Sequence, residues 1–86
     1  MYALEYTREA EKAIRKLERG VQARIFASLE RCRIRPYPHL VKLVGLSYFR
    51  LRVGDYRIIL EIKEEKLIIL VLEVGHRKNI YNQIRF

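Results

Sequence analysis

Cysteine is nearly missing from this chain, and Cys32 stands alone. No intrachain disulfide can form, which fits a reducing interior. A lone cysteine reads either as a reactive thiol or as a small buried residue on a helix, and the second use is commoner. Histidine is scarce too, with only His39 and His76. Two isolated histidines and one cysteine cannot supply a metal-ligand set at any standard spacing, so neither metal nor cofactor is expected. Long apolar runs are lacking. The longest, Leu67 to Leu72, is far too short to cross a bilayer. The opening Met1-Tyr2-Ala3-Leu4-Glu5 has no basic region followed by a long apolar one. A cytoplasmic protein with no membrane partner is expected.

Negative charge is also in short supply. Eighteen Lys and Arg face ten Asp and Glu, giving a net charge of +8 and a pI near 10.0. That balance favours polyanionic partners: RNA, DNA or an acidic protein. Half of the 86 residues are hydrophobic, so the chain is not a disordered one. Residues 1–86 read as one domain, near the lower end of comfortable stability.

Tyr2 to Tyr6 alternates and predicts a short strand. Thr7 is a plausible N-cap, with Glu9 and Glu11 in the positive first turn of a helix over about 8–18. Ala10, Ala13, Ile14 and Leu17 make its apolar stripe, and Gly20 is expected to stop it. A second helix follows at once, with Val21, Ile25, Leu29 and Cys32 on one stripe, and Pro36 and Pro38 end it. The short link predicts an antiparallel helix hairpin. Arg24, Arg31 and Arg35 lie off the stripe and read most simply as solvated surface. Residues 36–47 are hard to read. Leu40, Val41, Leu43 and Val44 are expected to cover an edge of the core, and Lys42 is the residue here that could reach an anion.

The most informative stretch is Tyr48-Phe49-Arg50-Leu51-Arg52-Val53-Gly54-Asp55-Tyr56-Arg57. Alternating runs flank Gly54-Asp55, and glycine first in a two-residue loop signals a type II′ hairpin. That turn would pair Val53 with Tyr56 and Arg52 with Arg57. One face then carries Tyr48, Arg50, Arg52, Arg57 and Glu61. The other carries Phe49, Leu51, Val53, Tyr56, Ile58, Leu60 and Ile62. Like charges placed opposite one another repel, so the cluster points to an anionic ligand, phosphate above all. A solvated face neutralised by Glu61, Glu73 or Asp55 accounts for it equally well. Lys66 to Val74, nearly all aliphatic, predicts a strand buried on both sides within the sheet, and Gly75 breaks the pattern. The expected fold is α+β: an N-terminal strand, a helix hairpin, then a mostly antiparallel curved sheet with the helices on one face.

The Tyr2–Tyr6 opening, the helix hairpin, the Tyr48–Arg57 stretch, Val74-Gly75-His76-Arg77 and a closing Tyr81 resemble the RelE/ParE superfamily of toxins from toxin–antitoxin pairs. The resemblance covers essentially the whole chain and is closest to RelE-like members. It implies a toxin neutralised by an acidic, RelB-like antitoxin. RelE-type members are ribosome-dependent endoribonucleases that cut mRNA in the A site, so ribosome and mRNA become expected partners. By the same resemblance Arg50 falls where RelE has a catalytic lysine, and Arg52 and Arg57 match basic positions. Arg77 matches the arginine of a glycine–basic–arginine motif, and Tyr81 the tyrosine near the C-terminus. Tyr48 stands where RelE has a further lysine. Arg50, Arg57, Arg77 and Tyr81 are thus the catalytic candidates, and Tyr48, Arg52, His76 and Lys78 the substrate-binding ones.

Metal-independent RNA cleavage uses the 2′-OH as nucleophile. It needs a base, cations for the crowded phosphorane and an acid for the 5′-oxygen. Arg57 and Arg77 suit charge stabilisation, and Tyr81 suits stacking on a base or orienting the 2′-OH. Arginine stays protonated, so Arg50 is a poorer base than lysine. His76 has a suitable pKa class, and Glu61 shares the basic face. Two other functions remain open. One is a ParE-like toxin that traps DNA gyrase. The other is a non-catalytic RNA-binding module or decayed toxin.

Overall fold

A computed structural model describes residues 1–43 and 47–76. Strand β1 (Ala3–Tyr6) leads to helices α1 (Arg8–Arg15) and α2 (Arg19–Ile34). Strands β2 (Val41–Lys42), β3 (Tyr48–Val53), β4 (Tyr56–Lys63) and β5 (Ile68–His76) follow. One sheet contains all five strands in the order β1-β5-β4-β3-β2. β1 runs parallel to β5, and every other pairing is antiparallel. This is the α+β arrangement expected from the sequence, with one additional short strand.

Thr7 opens α1. Its backbone is extended, and its Oγ1 accepts from the Ala10 N–H at 3.1 Å. The same hydroxyl donates to the Leu72 carbonyl at 2.9 Å, which ties the helix start to β5. Glu9 and Glu11 occupy the first turn, while Lys12 and Arg15 occupy the last. Both pairs complement the helix dipole. The helix ends at Arg15, three residues short of expectation. Gly20 is not its stop but lies in the first turn of α2. The break falls at Glu18, whose extended backbone starts the new helix, and the Gln22 side chain donates to the Leu17 carbonyl at 2.8 Å. α2 ends before Pro36, where Arg35 turns extended.

α1 packs against β5, while α2 reaches β1 and β3. Ala10 and Ile14 from α1 and Ile25, Leu29 and Cys32 from α2 are buried against one sheet face. That face contributes Leu51, Val53, Ile58, Leu60, Ile62, Ile69, Val71 and Val74. Each fully buried Leu or Ile stabilises the fold by about 1.5–3 kcal/mol. Cys32 takes the second of its two readings, as a fully buried core residue.

The hairpin forms in the predicted register, Val53 opposite Tyr56 and Arg52 opposite Arg57. Gly54 has φ +58°, and Asp55 does not enter the left-handed region, as a type II′ turn requires. Gly75 does not end the last strand. β5 continues through it to His76, paired with β4. The register shifts between Ile59 and Leu60, which face Glu73 and Val71, so Leu72 is an extra residue on β5. An extra residue leaves the ladder, and the Thr7 hydroxyl meets its carbonyl. In the 36–47 region, Leu40 packs on the core, but Val41 on edge strand β2 is 51% exposed. Lys42 pairs opposite Phe49, which sets it on the face away from Arg50. Val44 lies outside the described residues.

Candidate functional site

The sheet face turned away from the helices carries four of the candidate site residues. Alternation along β3 puts Tyr48, Arg50 and Arg52 there. The register carries that face to Glu61, Ile59 and Arg57 on β4, and then to Glu73 and Gly75 on β5. Arg50 and Arg57 are half-buried, and their Nε atoms are shielded from solvent. Both make contacts with neighbouring groups, as do Tyr48 and His76. Arg52 is exposed, and its Nε donates to the Gly54 carbonyl at 3.3 Å.

Arg57 has Arg52 on one side and Gly75 on the other. Glycine sets no side chain beside the guanidinium stem. Ile59, between Arg50 and Glu73, is only 1% exposed, so it is covered on this face. Guanidinium groups fork onto phosphate oxygens at fixed geometry. Three of them on one face suit a phosphodiester. Three carboxylates share the face, Glu5 among them through its pairing with Leu70, which faces Glu61. Glu61 stands opposite Tyr48, and Glu73 stands opposite Ile59.

His76 is elsewhere. It pairs with Tyr56 on the helix side of the sheet, and the two rings meet edge-on with centroids 5.7 Å apart. The extra residue at Leu72 is the cause, because it swaps the alternation of everything after it. Arg77, Lys78 and Tyr81 lie outside the described residues. Among the described residues, no three His, Cys, Asp or Glu are grouped to hold a metal ion. No described helix is long and apolar enough to cross a membrane.

The clearest titration shifts occur beyond the far end of β4. The Tyr2 hydroxyl donates to Glu64 Oε1 at 2.6 Å, and the Tyr37 hydroxyl donates to the same oxygen. These bonds hold Glu64 below the usual carboxylate range and push both phenols up. Burial pushes up the Tyr6 hydroxyl and the Cys32 thiol.

Comparison with known proteins now bears on this face. The family model for the ParE toxin of type II toxin–antitoxin systems (parDE) matches residues 4–81. This chain belongs to the RelE/ParE superfamily of toxins. Its relatives are of the RelE kind. A RelE-like toxin protein of Escherichia coli is 29% identical over 86 residues, 94% of this chain and 90% of its own length. The toxin fold in the intact E. coli RelBE complex superposes with a TM-score of 0.77 at 27% identity. That match covers 88% of this chain and 96% of the other. The RelB–RelE complex of Methanococcus jannaschii gives 0.75 at 27% identity, over 94% and 99%. The protein is thus a RelE-like toxin of a toxin–antitoxin system.

Within the toxin, sequence reading found Tyr48, Arg50, Arg52 and Arg57, and the structure brings all four onto one face. It missed Ile59, although the same alternation places it there. It read Arg24 and Arg31 of α2 as solvated surface, although they lie beside the turn, because no local pattern tells which way a helix stripe faces.

Proposed function

We propose that this toxin is a ribosome-dependent mRNA endoribonuclease that cuts in the A site. The observation that carries the reading is the placement of Arg50, Arg52 and Arg57 on one sheet face. The 2′-oxygen bonds to the adjacent phosphorus, the bond to the 5′-oxygen breaks, and that oxygen takes a proton from water, leaving a 2′,3′-cyclic phosphate and a 5′-OH. Arg57, joined by Arg77, offsets the charge on the phosphorane. Arg50, Arg52, Tyr48 and Lys78 hold the strand, and Tyr81 stacks on a base. Glu73, next to Gly75 in the register, is better placed than Glu61 to accept the 2′-proton. His76 is left with a packing role against Tyr56.

A RelB-like acidic antitoxin neutralises the toxin in this reading. RelB accompanies RelE in the matched complexes, and the +8 charge favours such a partner. Phe26 and Ile34 on α2 and Val41 on the edge strand are exposed apolar residues on which it could dock. The gyrase-trapping reading keeps one support, the ParE description of the matching family model.

Programmed ribosomes decide between them. Purified toxin is expected to cut within the A-site codon, mapped as new mRNA 5′ ends. Arg57→Ala should slow cutting by about 10²–10³-fold, the usual loss when one fixed donor to developing charge is removed. Intact mRNA together with gyrase-dependent DNA breaks overturns the nuclease reading in favour of the gyrase one. Inertness in both assays overturns both.

A further inference from the structure

Arg24, Ser28 and Arg31 recur at helical spacing on α2 and form one stripe. Between this stripe and the β3–β4 turn lies a cleft of about 320 Å³. Its polar lining is Arg24, Ser28, Arg31, Arg52 and Gly54, with no acidic side chain. Two of the guanidiniums are held. Arg31 Nη2 donates to Ser28 Oγ at 3.1 Å, and Arg52 Nε donates to the Gly54 carbonyl at 3.3 Å. The third, Arg24, lies down on the turn itself, where a Cβ added at Gly54 would come within 2.7 Å of its Nη2. The bare Gly54, required by φ +58°, makes that approach possible. Among the described residues, Arg24, Arg31 and Arg52 join neither the Arg15–Glu11 nor the Arg33–Glu30 ion pair. Three cations gathered without a carboxylate repel one another, and a bound anion offsets that cost.

We propose that this cleft is a second phosphate subsite, which takes a backbone phosphate of the RNA strand lying on the open face. Arg52 links the two places, since it lines the cleft and stands opposite Arg57. A strand leaving the open face over the turn meets the cleft next. Phosphate is favoured because each guanidinium presents a planar fork that matches its oxygens. The inference rests on the RNA reading of the open face.

The test is an NMR titration of the full toxin with a single-stranded RNA of about twelve nucleotides, a length that spans both places. A parallel titration uses inorganic phosphate. An Arg24→Gln/Arg31→Gln variant, changed only at exposed positions, is compared by fluorescence anisotropy. Saturable shifts of the Ser28 and Gly54 amides are expected together with those of Ile59 and Gly75. The variant should bind RNA about tenfold more weakly, with its salt slope shallower by about 0.7 for each phosphate it no longer neutralises. If RNA moves Ile59 and Gly75 but leaves Ser28 and Gly54 still, or the variant matches the parent, the cleft is no RNA subsite and the open-face reading stands. Shifts at Ser28 and Gly54 with inorganic phosphate alone show an adventitious ion only, and overturn it too. If RNA moves neither set, the RNA reading falls and takes this inference with it.

Discussion

Replacing Arg52 with threonine should make the toxin more stable and less active. Arg52 faces Arg57 directly across the hairpin and has Arg24 and Arg31 on its other side. Two unit charges about 6 Å apart repel by about 0.7 kcal/mol in water. That agrees with the cost of about 0.2–1 kcal/mol for like charges opposite one another in a sheet. Against it stands one exposed hydrogen bond to the Gly54 carbonyl, worth no more than about 0.5 kcal/mol there. Threonine suits a strand. The net gain is about 0.5 kcal/mol, or about 2–4 °C in Tm for a domain of this size. Melting followed by far-UV circular dichroism at about 50 mM and 1 M NaCl measures it. The gain should vanish in 1 M salt, where the screening length is about 3 Å. Cutting of mRNA on programmed ribosomes should fall at least about tenfold in the same variant, since it lacks one charge-assisted bond to phosphate. An equal drop in Tm at both salt concentrations would refute the reasoning, because Arg52 would then be a structural strut rather than a charge held in readiness.

Thr7→Val removes both the cap to Ala10 and the bond to the Leu72 carbonyl. The losses, about 1 kcal/mol each, should lower Tm by about 10 °C, whereas Thr7→Ser should melt close to the parent. Cys32 is fully buried and its thiol is pushed up by burial, so a thiol reagent should modify it only at the rate of unfolding. The folded pKa of Glu64 is lowered by Tyr2 and Tyr37, so its contribution is present above the unfolded carboxylate pKa and is lost as pH falls through the folded one. The raised phenols contribute fully below the unfolded tyrosine pKa and lose that contribution as pH rises through their folded values. Glu64→Gln should therefore flatten the stability profile at both ends, read from urea midpoints across pH.

The hairpin was legible because two independent signals agree on it. Gly54 sets the turn, and unbroken alternation on either side sets which residues share a face. Nothing comparable marks the β5 register. Unbroken alternation from Ile69 and Val71 would put His76 on the same face as Arg57, and one unpaired residue at Leu72 sends it to the helix side. The sequence does carry a trace of this, since Glu73 stands where the core face would continue and Val74 is buried instead. β2 is two residues long, too short to show a period. The α1–α2 boundary misled for a different reason. Gly20 is a common helix stop, but Glu18 is already extended two residues earlier and the new helix absorbs the glycine. Arg24 and Arg31 could be assigned to the helix surface, but only the packing of α2 over the turn shows what they face.

The family model and the relatives carry two names, and the scaffold cannot choose between them, because a fold can host unrelated functions. The choice has to come from the open face. The hydrophobic core is complete on the helix side, with Ile58, Leu60, Ile69 and Val71 all closed off from solvent. The opposite face is therefore free to depart from what stability alone would select. It gathers cations near the turn, Arg52 and Arg57 side by side, Arg50 one step away, and Arg24 and Arg31 around the turn, with its carboxylates further along the strands. A surface made to grip another protein gains chiefly from a buried apolar and aromatic centre with hydrogen-bonded polar groups at its rim. A surface made to hold a nucleic-acid strand gains from repeated phosphate contacts and a flat place for a base. Arginines spaced along a ridge fit the phosphate part of the second description, which is why we favour RNA over gyrase as the target of this toxin.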